Sequence, residues 1–559
     1  MFDYKAKPFY LNDEDIRWVE DIYESMSIEE RIGQLFFPIG YSSDRGYLKY
    51  AMLNKFPGGM LFRMGHREEM AETYAYLQQE SRIPMFTAAN LEAGGDGIVE
   101  EGTSFGKQMQ IAATGNKENA YRLGKVCASE GRAVGCNYSF APVVDIDMNF
   151  HNPITNVRTY GNDPDKIIEY AREYIKACEE ENVLTSIKHF PGDGVDERDQ
   201  HILTSVNNLD RNTWDESYGR IYKTLIDDGV KTVMAGHIAL PAYQSKEEKF
   251  LPASLSHSLL TELLRNRLGF NGLIISDATP MVGFCAAMQR KDAVPAAINA
   301  GCDMFLFNKD YDEDYAFMMD AYKTGVLSAE RLEEAVKRIL ATKASQNLHR
   351  DRMIPDMNDL SAVGNTEHQE WAGRCADQAV TLVKDSQKLL PISSDRYRRV
   401  LYQILGDCAS NDRVVRRFVE QMNGHGFEMI PYEKEVFDFS KPLPFDSSKS
   451  FKDKYDLVIY IGNIENASNK TTNRINWYTL FGLGNNMPWF VKEVPTMFIS
   501  LQNPYHLLDV PMIETYINCY SNHDCMIDAV VEKINGNSSF KGKSPVDPFC
   551  GKEYLKGND

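Results

Sequence analysis

Short apolar runs alternate with amphipathic stretches along residues 1–345. The runs are four to eight residues long and are flanked by turn-forming residues, a pattern that predicts buried strands. The stretches between them carry apolar residues three and four positions apart, which predicts helices that pack through one face. The predicted strands are residues 35–39, 59–63, 84–89, 137–144, 183–188, 231–235, 273–276 and 304–307. The clearest predicted helices are residues 117–133, 164–181, 214–228 and 293–300.

Eight alternating strand and helix units predict an α/β fold for residues 1–345, namely a closed (β/α)8 TIM-like barrel. A doubly wound open sheet is the alternative. Ahead of the first strand, Asn12 or Asp13 predicts a helix start, and Ser27 with Glu30 predicts a capping box.

A second domain follows the predicted barrel. Residues 346–369 are irregular and rich in Asn, Asp, Gly and Pro, which predicts an interdomain linker. Residues 370–559 then return to alternating apolar runs and helical stretches, which predicts a smaller α/β sandwich with a parallel sheet. Its predicted strands are residues 379–383, 400–405, 457–461 and 497–501, and its predicted helices are residues 412–422 and 524–534.

Polar residues stand where five successive barrel strands end. The active residues of such barrels lie just after the carboxyl ends of the strands, so this placement predicts a site at that face. The strand-end residues, from the third strand to the seventh, are Asn90, Glu92, Asp145, Asp147, Lys188, His189, His237 and Asp277, and Arg158 lies in the loop after the fourth strand.

The loop after the fifth strand reads KHFPGDGVDERDQH, from Lys188 to His201. One residue separates Asp199 from His201, so the carboxylate can bond one ring nitrogen and leave the other pointing outward, as an imidazole acid/base requires. An isolated pair of this kind is more often a solvated surface feature. Asp277 follows a buried run, where a carboxylate serves either as a nucleophile or as a helix N-cap.

The composition of the chain argues against several classes of binding partner and cofactor. The net charge of −19 argues against nucleic acid or an anionic membrane as the main partner, because both require a basic face. Ten scattered cysteines without a close pair favour reduced thiols over disulfides or a zinc site. No apolar run is long enough for a signal peptide or a membrane span, which favours a cytoplasmic protein. The sequence leaves the oligomeric state open.

The whole loop pattern, together with Asp277, Ala278 and Met281, resembles family 3 of the glycoside hydrolases, in particular its β-N-acetylglucosaminidase branch. The resemblance implies that Asp277 attacks the anomeric carbon, while His201 protonates the leaving oxygen and Asp199 orients it. It also implies that no cofactor or metal takes part. The residues predicted to bind the sugar are Lys188, His189, Arg158, Asn90, Glu92, Asp147 and His237.

The chain departs from the family pattern in two places. Asn90 stands where the family usually has a sugar-binding Asp, and Ala93 is inserted before the glycines that follow. Asp193 stands where the family usually has His in a Pro-Gly-His-Gly turn. The second domain supplies an acid/base Glu in other branches, for which Glu465 is the candidate, although an ordinary loop glutamate is expected beside an Asp-His pair.

The resemblance therefore implies a retaining exo-β-glycosidase that releases terminal β-linked N-acetylglucosamine from a carbohydrate substrate. A β-glucosidase or a phosphorylase of the same family is the alternative, because a neutral base repels incoming phosphate less than a carboxylate does. An alternative of another class is a sugar-binding protein on a hydrolase scaffold, suggested by the altered Asn90 region.

Overall fold

The computed structural model describes residues 2–433, 447–480, 483–484 and 486–556. The chain divides into two compact units. The first contains Met1–Gln108 and Lys117–Gln369, and the second contains Met109–Asn116 and Glu370–Asp559. The second unit therefore takes one short segment from within the part of the chain that builds the first.

The first unit is a parallel barrel. Its first strand, β1, is interrupted at Pro38 into Phe36–Phe37 and Ile39–Gly40. The others are β2 (Gly59–Phe62), β3 (Phe86–Ala89), β4 (Tyr138–Ser139), β5 (Leu184–Phe190), β6 (Thr232–Ala235), β7 (Leu273–Ser276) and β8 (Phe305–Leu306).

Parallel pairing closes these strands into a ring. The sheet runs from β1 through β7 in chain order, with Ile39–Gly40 of β1 against β2. Phe36–Phe37 of β1 pairs with β8, and Met304, just before β8, bridges Ile275 of β7. The predicted barrel is confirmed. The predicted fourth strand, residues 137–144, was too long, because Pro142 cannot donate a ladder hydrogen bond. The regular strand ends at Ser139, and beyond it an isolated bridge joins Val143 to Lys188.

Helices connect and surround the strands. The α-helices of this unit are Asp13–Ser25, Ile28–Gln34, Arg45–Tyr47, Arg67–Glu80, Glu118–Ala133, Pro164–Glu180, Arg211–Trp214, Arg220–Asp228, Val282–Cys285, Arg290–Ala300, Tyr311–Lys323 and Ala329–Ser345, and Gln108–Ala113 spans the boundary with the second unit. Leu48–Met52, Asp215–Gly219 and Ser258–Arg267 are π-helical. Short 3-10 turns are Leu53–Lys55, Gly95–Gly97, Asn156–Arg158, Ala253–Leu255 and Asp359–Ala362.

The predicted helix starts are confirmed. The Asn12 side chain accepts hydrogen bonds from the main-chain N–H groups of Glu14 and Asp15, and Ser27 and Glu30 form the complete capping box. In the described ranges, no helix is both long and apolar enough to cross a membrane.

The second unit is built on a six-stranded sheet. Its strands are β9 (Thr381–Asp385), β10 (Arg399–Leu405), β11 (Glu428–Pro431), β12 (Leu457–Gly462), β13 (Thr496–Ser500) and β14 (Thr515–Asn518), in the order β9-β14-β13-β12-β10-β11. The helices are Thr366–Ala379, Asn411–Gly424, Ser448–Lys454 and Asp524–Ile534, with 3-10 turns at His506–Leu508 and Glu553–Leu555 and a hairpin of Thr479–Leu480 with Leu483–Gly484.

Two predictions for this part of the chain need correction. The sheet is mixed rather than parallel, because β9 pairs antiparallel to β14 at the edge. Irregular chain was expected through residue 369, but a helix begins at Thr366 because the Asn365 side chain accepts the main-chain N–H of His368, as an N-cap does.

Candidate active site

The loop after β5 holds Asp199 and His201 as a hydrogen-bonded pair. His201 Nδ1 lies 2.6 Å from Asp199 Oδ1, and the same oxygen accepts the main-chain N–H of His201 at 2.9 Å. The Asp199 side chain is buried, whereas that of His201 is 24% exposed. Because a carboxylate only accepts, Nδ1 carries the proton and Nε2 is on the opposite edge of the ring. The pair thus has the geometry of an oriented imidazole acid/base.

Asp277 directly follows β7. Its main-chain N–H donates to the Ala235 carbonyl at 2.7 Å, and its Oδ1 accepts the N–H of Ala278 at 2.7 Å. Burial opposes ionisation of this carboxyl, but the surrounding histidines, His189 foremost, and the N–H of Ala278 outweigh burial and lower the pKa of Asp277. An ionised carboxylate at a barrel mouth is suited to nucleophilic attack.

Glu92, after β3, binds two cations at once. Arg158 donates to both of its oxygens, Nε to Oε2 at 2.9 Å and Nη2 to Oε1 at 2.8 Å. Lys188 Nζ approaches Oε1 to 2.6 Å. Although burial opposes it, these cations hold the pKa of Glu92 well below its usual range. Two-point Arg–carboxylate bonding fixes both side chains, so the three residues form a rigid polar wall.

Asp145 holds His189 in place. In the sequence, Asp145 is recognisable only as a polar residue at the end of the fourth strand. His189 Nδ1 lies 2.7 Å from Asp145 Oδ2, and its main-chain N–H donates to Asp145 Oδ1 at 3.0 Å. Asp145 is completely buried. Its position after the fourth strand predicted a place at the site, but the sequence does not reveal that it bonds His189.

His237 has both ring nitrogens engaged by the protein. Nε2 lies 3.0 Å from the Ala278 carbonyl, which can only accept, and Nδ1 lies 2.8 Å from the Ser254 hydroxyl. Burial lowers the pKa of His237, which favours the neutral ring. The His237 ring therefore anchors the main chain of Ala278, which directly follows Asp277.

The two remaining predicted sugar-binding residues differ in exposure. Asn90 is exposed at the end of β3, whereas Asp147 is buried, with its main-chain N–H donating to the Gly161 carbonyl at 3.0 Å. No group of three or more His, Cys, Asp or Glu side chains arranged to hold a metal ion occurs within the described residues.

The Pro-Gly-Asp-Gly turn requires both of its glycines. Gly192 has φ +120°, and an added Cβ would lie 2.1 Å from the Tyr218 ring. Gly194 has φ +101°, and its Cβ would lie 2.0 Å from the Ile146 carbonyl oxygen. Only glycine combines these backbone angles with such close approach, so the turn fixes where the chain leaves β5.

The comparisons with known proteins agree with this architecture. A family model described as glycosyl hydrolase family 3 N terminal domain matches residues 27–342. The chain belongs to glycoside hydrolase family 3. It is thus a carbohydrate-acting enzyme of this family, as the resemblance implied.

The similarity to individual family 3 proteins extends over the whole chain. A relative from Cellulomonas fimi named beta-N-acetylglucosaminidase/beta-glucosidase is 41% identical over 563 residues, which covers 99% of both chains. The solved structure of beta-glucoside phosphorylase BglX has a TM-score of 0.93 at 42% identity and covers 99% of both chains. A family 3 beta-N-acetylglucosaminidase from Paenibacillus sp. str. FPU-7 has a TM-score of 0.78 at 20% identity, covering 94% of this chain and 99% of that one, and shows the shared fold alone.

Proposed function

We propose that the protein is a retaining, exo-acting β-glycosidase that releases terminal β-linked N-acetylglucosamine. The observation that supports this most is the 2.6 Å bond between Asp199 and His201. The carbonyl of His201 accepts the N–H of Val282, in the segment that follows Asp277, so the pair lies beside the loop of the candidate nucleophile. A nucleophile and an oriented imidazole at one strand-end face are the two groups that such a reaction needs.

In the first step, an Asp277 oxygen attacks the anomeric carbon and the bond to the leaving oxygen breaks. The leaving oxygen takes a proton from His201, and a glycosyl-aspartate forms. In the second step, water attacks the same carbon while neutral His201 accepts its proton, and Asp277 is released as a carboxylate. Asp199 keeps the Nδ1 proton in place throughout, so that Nε2 exchanges protons with the reacting oxygens.

Sugar hydroxyls are assigned to the polar wall of Glu92, Arg158 and Lys188, and to His189. These groups are held rigidly before substrate arrives, which lowers the ordering cost of binding. Asn90 and Asp147 are assigned to the rim and floor of the same site. We assign His237 to the support of Ala278 rather than to the sugar, because both of its ring nitrogens are already bonded.

Phosphorolysis is the second candidate. It is supported by the full-length similarity to a structure titled beta-glucoside phosphorylase, at 42% identity. Phosphate would attack the glycosyl-aspartate and yield a sugar 1-phosphate. Phosphate is already anionic and needs no base, and a neutral imidazole repels it less than a second carboxylate would. Glucosides are the alternative donors, as the name of the Cellulomonas fimi relative suggests.

A series of aryl β-glycosides tests these assignments under single-turnover conditions, with N-acetylglucosamine and glucose donors, each with and without phosphate. Asp277→Ala should abolish turnover and leave the fold intact. His201→Ala should retain most of its rate on activated nitrophenyl glycosides and lose roughly 10²- to 10⁴-fold on poorly activated ones, because only those need the proton.

Glu465→Gln is the matched control, since Glu465 is the candidate acid from the second unit. It should leave the dependence on leaving-group pKa unchanged. If that dependence steepens in Glu465→Gln while His201→Ala behaves like the wild type, the acid/base role belongs to Glu465. An acceleration by phosphate with formation of sugar 1-phosphate would identify a phosphorylase.

A further inference from the structure

Gln200 lies between Asp199 and His201 in the sequence, but its side chain is directed into the protein. Its side chain is completely buried, whereas the neighbouring His201 side chain is 24% exposed. A buried amide costs free energy unless its donors and acceptor are satisfied. Its partners therefore show what this loop is anchored to.

One end of the amide is fixed by the main chain. Gln200 Oε1 accepts the main-chain N–H of His237 at 2.8 Å, just beyond the end of β6. Because that N–H can only donate, the carbonyl end of the amide must face His237. The NH₂ end therefore faces Asp193, and Nε2 lies 3.3 Å from Asp193 Oδ2.

Asp193 connects this amide to the sugar-facing side of the site. Its Oδ1 accepts the N–H of Gly194 at 2.7 Å and lies 3.3 Å from Asn152 Nδ2. Its own main-chain N–H donates to Asp145 Oδ1 at 2.8 Å, the oxygen that also receives the main-chain N–H of His189. The residue that departs from the family turn thus has a specific set of partners.

The other side of the same loop rests on the segment that follows Asp277. The N–H of Val282 donates to the His201 carbonyl at 3.1 Å, and Thr204 Oγ1 donates to the Gly283 carbonyl at 2.9 Å. An added Cβ on Gly283 would lie 2.5 Å from the Gln200 carbonyl oxygen. The loop is thus fixed on two sides, and Gln200 forms the inner attachment.

We propose that Gln200, bonded to Asp193 and to the main chain of His237, is the positioning residue that holds His201 at the angle needed for proton transfer to the leaving group. This rests on the proposed role of His201. Gln200 itself does not contact substrate. It acts by tying the Asp199–His201 loop to β6 on one side and to the Pro-Gly-Asp-Gly turn on the other.

Two single substitutions break this attachment. Gln200→Leu removes both hydrogen bonds at nearly constant volume. Above about pH 8, where Asp193 is ionised, Asp193→Asn places an amide between Gln200 Nε2 and the N–H of Gly194, so one of these two donors loses its acceptor whichever way the new amide is turned. Each variant should lose roughly 10- to 100-fold in glycosylation rate on poorly activated substrates, part of what a positioned acid contributes. Each should lose less than about threefold on activated nitrophenyl glycosides, and competitive inhibition by the free sugar should be unchanged.

A reciprocal double substitution provides the rescue. With Asp193→Asn and Gln200→Glu together, the new Asn amide can donate to the new Glu carboxylate, whose other oxygen still accepts the N–H of His237. The donor and acceptor are exchanged and the geometry is retained. The double variant should recover most of the rate on poorly activated substrates that Asp193→Asn loses.

Gln78→Leu is the matched control. Gln78 is also completely buried, and its amide makes two hydrogen bonds to the main chain of Met85, at 2.8 and 3.1 Å. Gln78→Leu should lower thermal stability by about as much as Gln200→Leu does, and it should leave the leaving-group dependence of the rate unchanged. This separates positioning from a general loss of stability.

A measurement without substrate separates this proposal from the proposed function. The Nδ1 proton of His201, in a 2.6 Å bond to a carboxylate, should give a far-downfield NMR resonance that is assigned by its absence in His201→Ala. It should shift or broaden in Gln200→Leu and return in the double variant. An unmoved resonance, equal losses across all leaving groups, or a double variant as impaired as Asp193→Asn would overturn the proposal. If His201→Ala has the same leaving-group dependence as the wild type, the proposed function fails, and the resonance still decides the positioning role.

Discussion

Each ionisable side chain in three groups at the barrel mouth contacts a partner that can carry the opposite charge. Glu92 faces Arg158 and Lys188, His189 is bonded to Asp145, and His201 is bonded to Asp199. A buried charge without a partner would cost several kcal/mol, roughly, so pairing is what allows so many ionisable groups to share one site. Beside these groups the pKa of Asp277 is lowered although burial opposes its ionisation, because neighbouring histidines, His189 foremost, favour the carboxylate.

Asp199 and His201 should behave as one unit in catalysis. Asp199→Asn, His201→Ala and the double variant are each expected to lower kcat/KM on poorly activated substrates by about the same factor, because an imidazole without its orienting carboxylate no longer transfers the proton efficiently. Rates measured for the three variants test this. Losses that add on a logarithmic scale would show that the two residues act independently.

Asp193 should make stability depend on pH. Burial, followed by the neighbouring carboxylates Asp145 and Asp199, raises the pKa of Asp193 from 3.8 to about 8. In this window the unfolded chain releases a proton that the folded protein keeps, so this residue lowers the free energy of unfolding as pH rises from 3.8 towards about 8.

Asp193→Asn removes that contribution. The variant does not titrate at this position, so its stability relative to the wild type should improve as pH rises. Urea denaturation of both proteins at pH 5 and pH 8 gives the two differences. A deficit that grows with pH would contradict the raised pKa.

At the residue scale, the sequence predicted the candidate nucleophile and the Asp-His pair because their signals are local: a carboxylate after an apolar run, and a spacing of two. The fold brings them to one face. The roles of Gln200 and His237 could not be predicted in this way. An amide or a neutral ring acts through the particular backbone groups that face it, and these come from other strands.

At the scale of elements, strand ends decide where the chemistry lies. β5 delivers Lys188 and His189, and the turn after it reverses the chain through Gly192 and Gly194. Such a turn requires glycine at these two positions, because a residue with a Cβ does not fit the backbone angles.

Gly192→Ala should therefore destabilise the protein strongly. The φ of +120° alone costs roughly 1–3 kcal/mol for a non-glycine residue, and the contact with the Tyr218 ring adds to this. Gly269→Ala is the control, because Gly269 also has a positive φ of +78° but no atom lies within 4 Å of its added Cβ. It should cost only about 1–2 kcal/mol. Urea midpoints compare the two, and equal losses would show that the contact with Tyr218 is unimportant.

Most strands were predictable because strands buried on both faces of a parallel sheet read as nearly continuous apolar runs. Three features were not. β11 and β14 contain only two apolar residues each, in the sequences EMIP and TYIN, so neither gives an apolar run. The direction of β9 depends on its pairing with β14, which a single strand does not encode.

At the scale of the whole molecule, the second unit is discontinuous. Met109–Asn116 belongs to it although the flanking residues build the barrel. Within that unit, Ser521 Oγ donates to Gln110 Oε1 at 2.6 Å, and the N–H of Lys543 donates to the Ala113 carbonyl at 2.9 Å.

A fragment of residues 366–559 should consequently be incomplete. Fusing residues 107–117 to its start through a flexible linker should raise its urea midpoint, because Gln110 regains its hydrogen bond with Ser521 and Ala113 regains that with Lys543. The same fusion with a scrambled segment controls for length and should give no increase. Equal midpoints for the bare and fused fragments would show that the segment adds nothing.

The discontinuity of the second unit also determines the order in which its parts are synthesised on the ribosome. Met109 and Ile111, both buried in the finished protein, emerge long before residues 370–559 have been synthesised. Until then the rest of the unit to which this segment belongs does not exist, and we expect such a segment to be a site of chaperone binding. A recombination event that exchanges the second unit between relatives must likewise replace two separate stretches of the gene, so barrel and sandwich are expected to evolve as one piece.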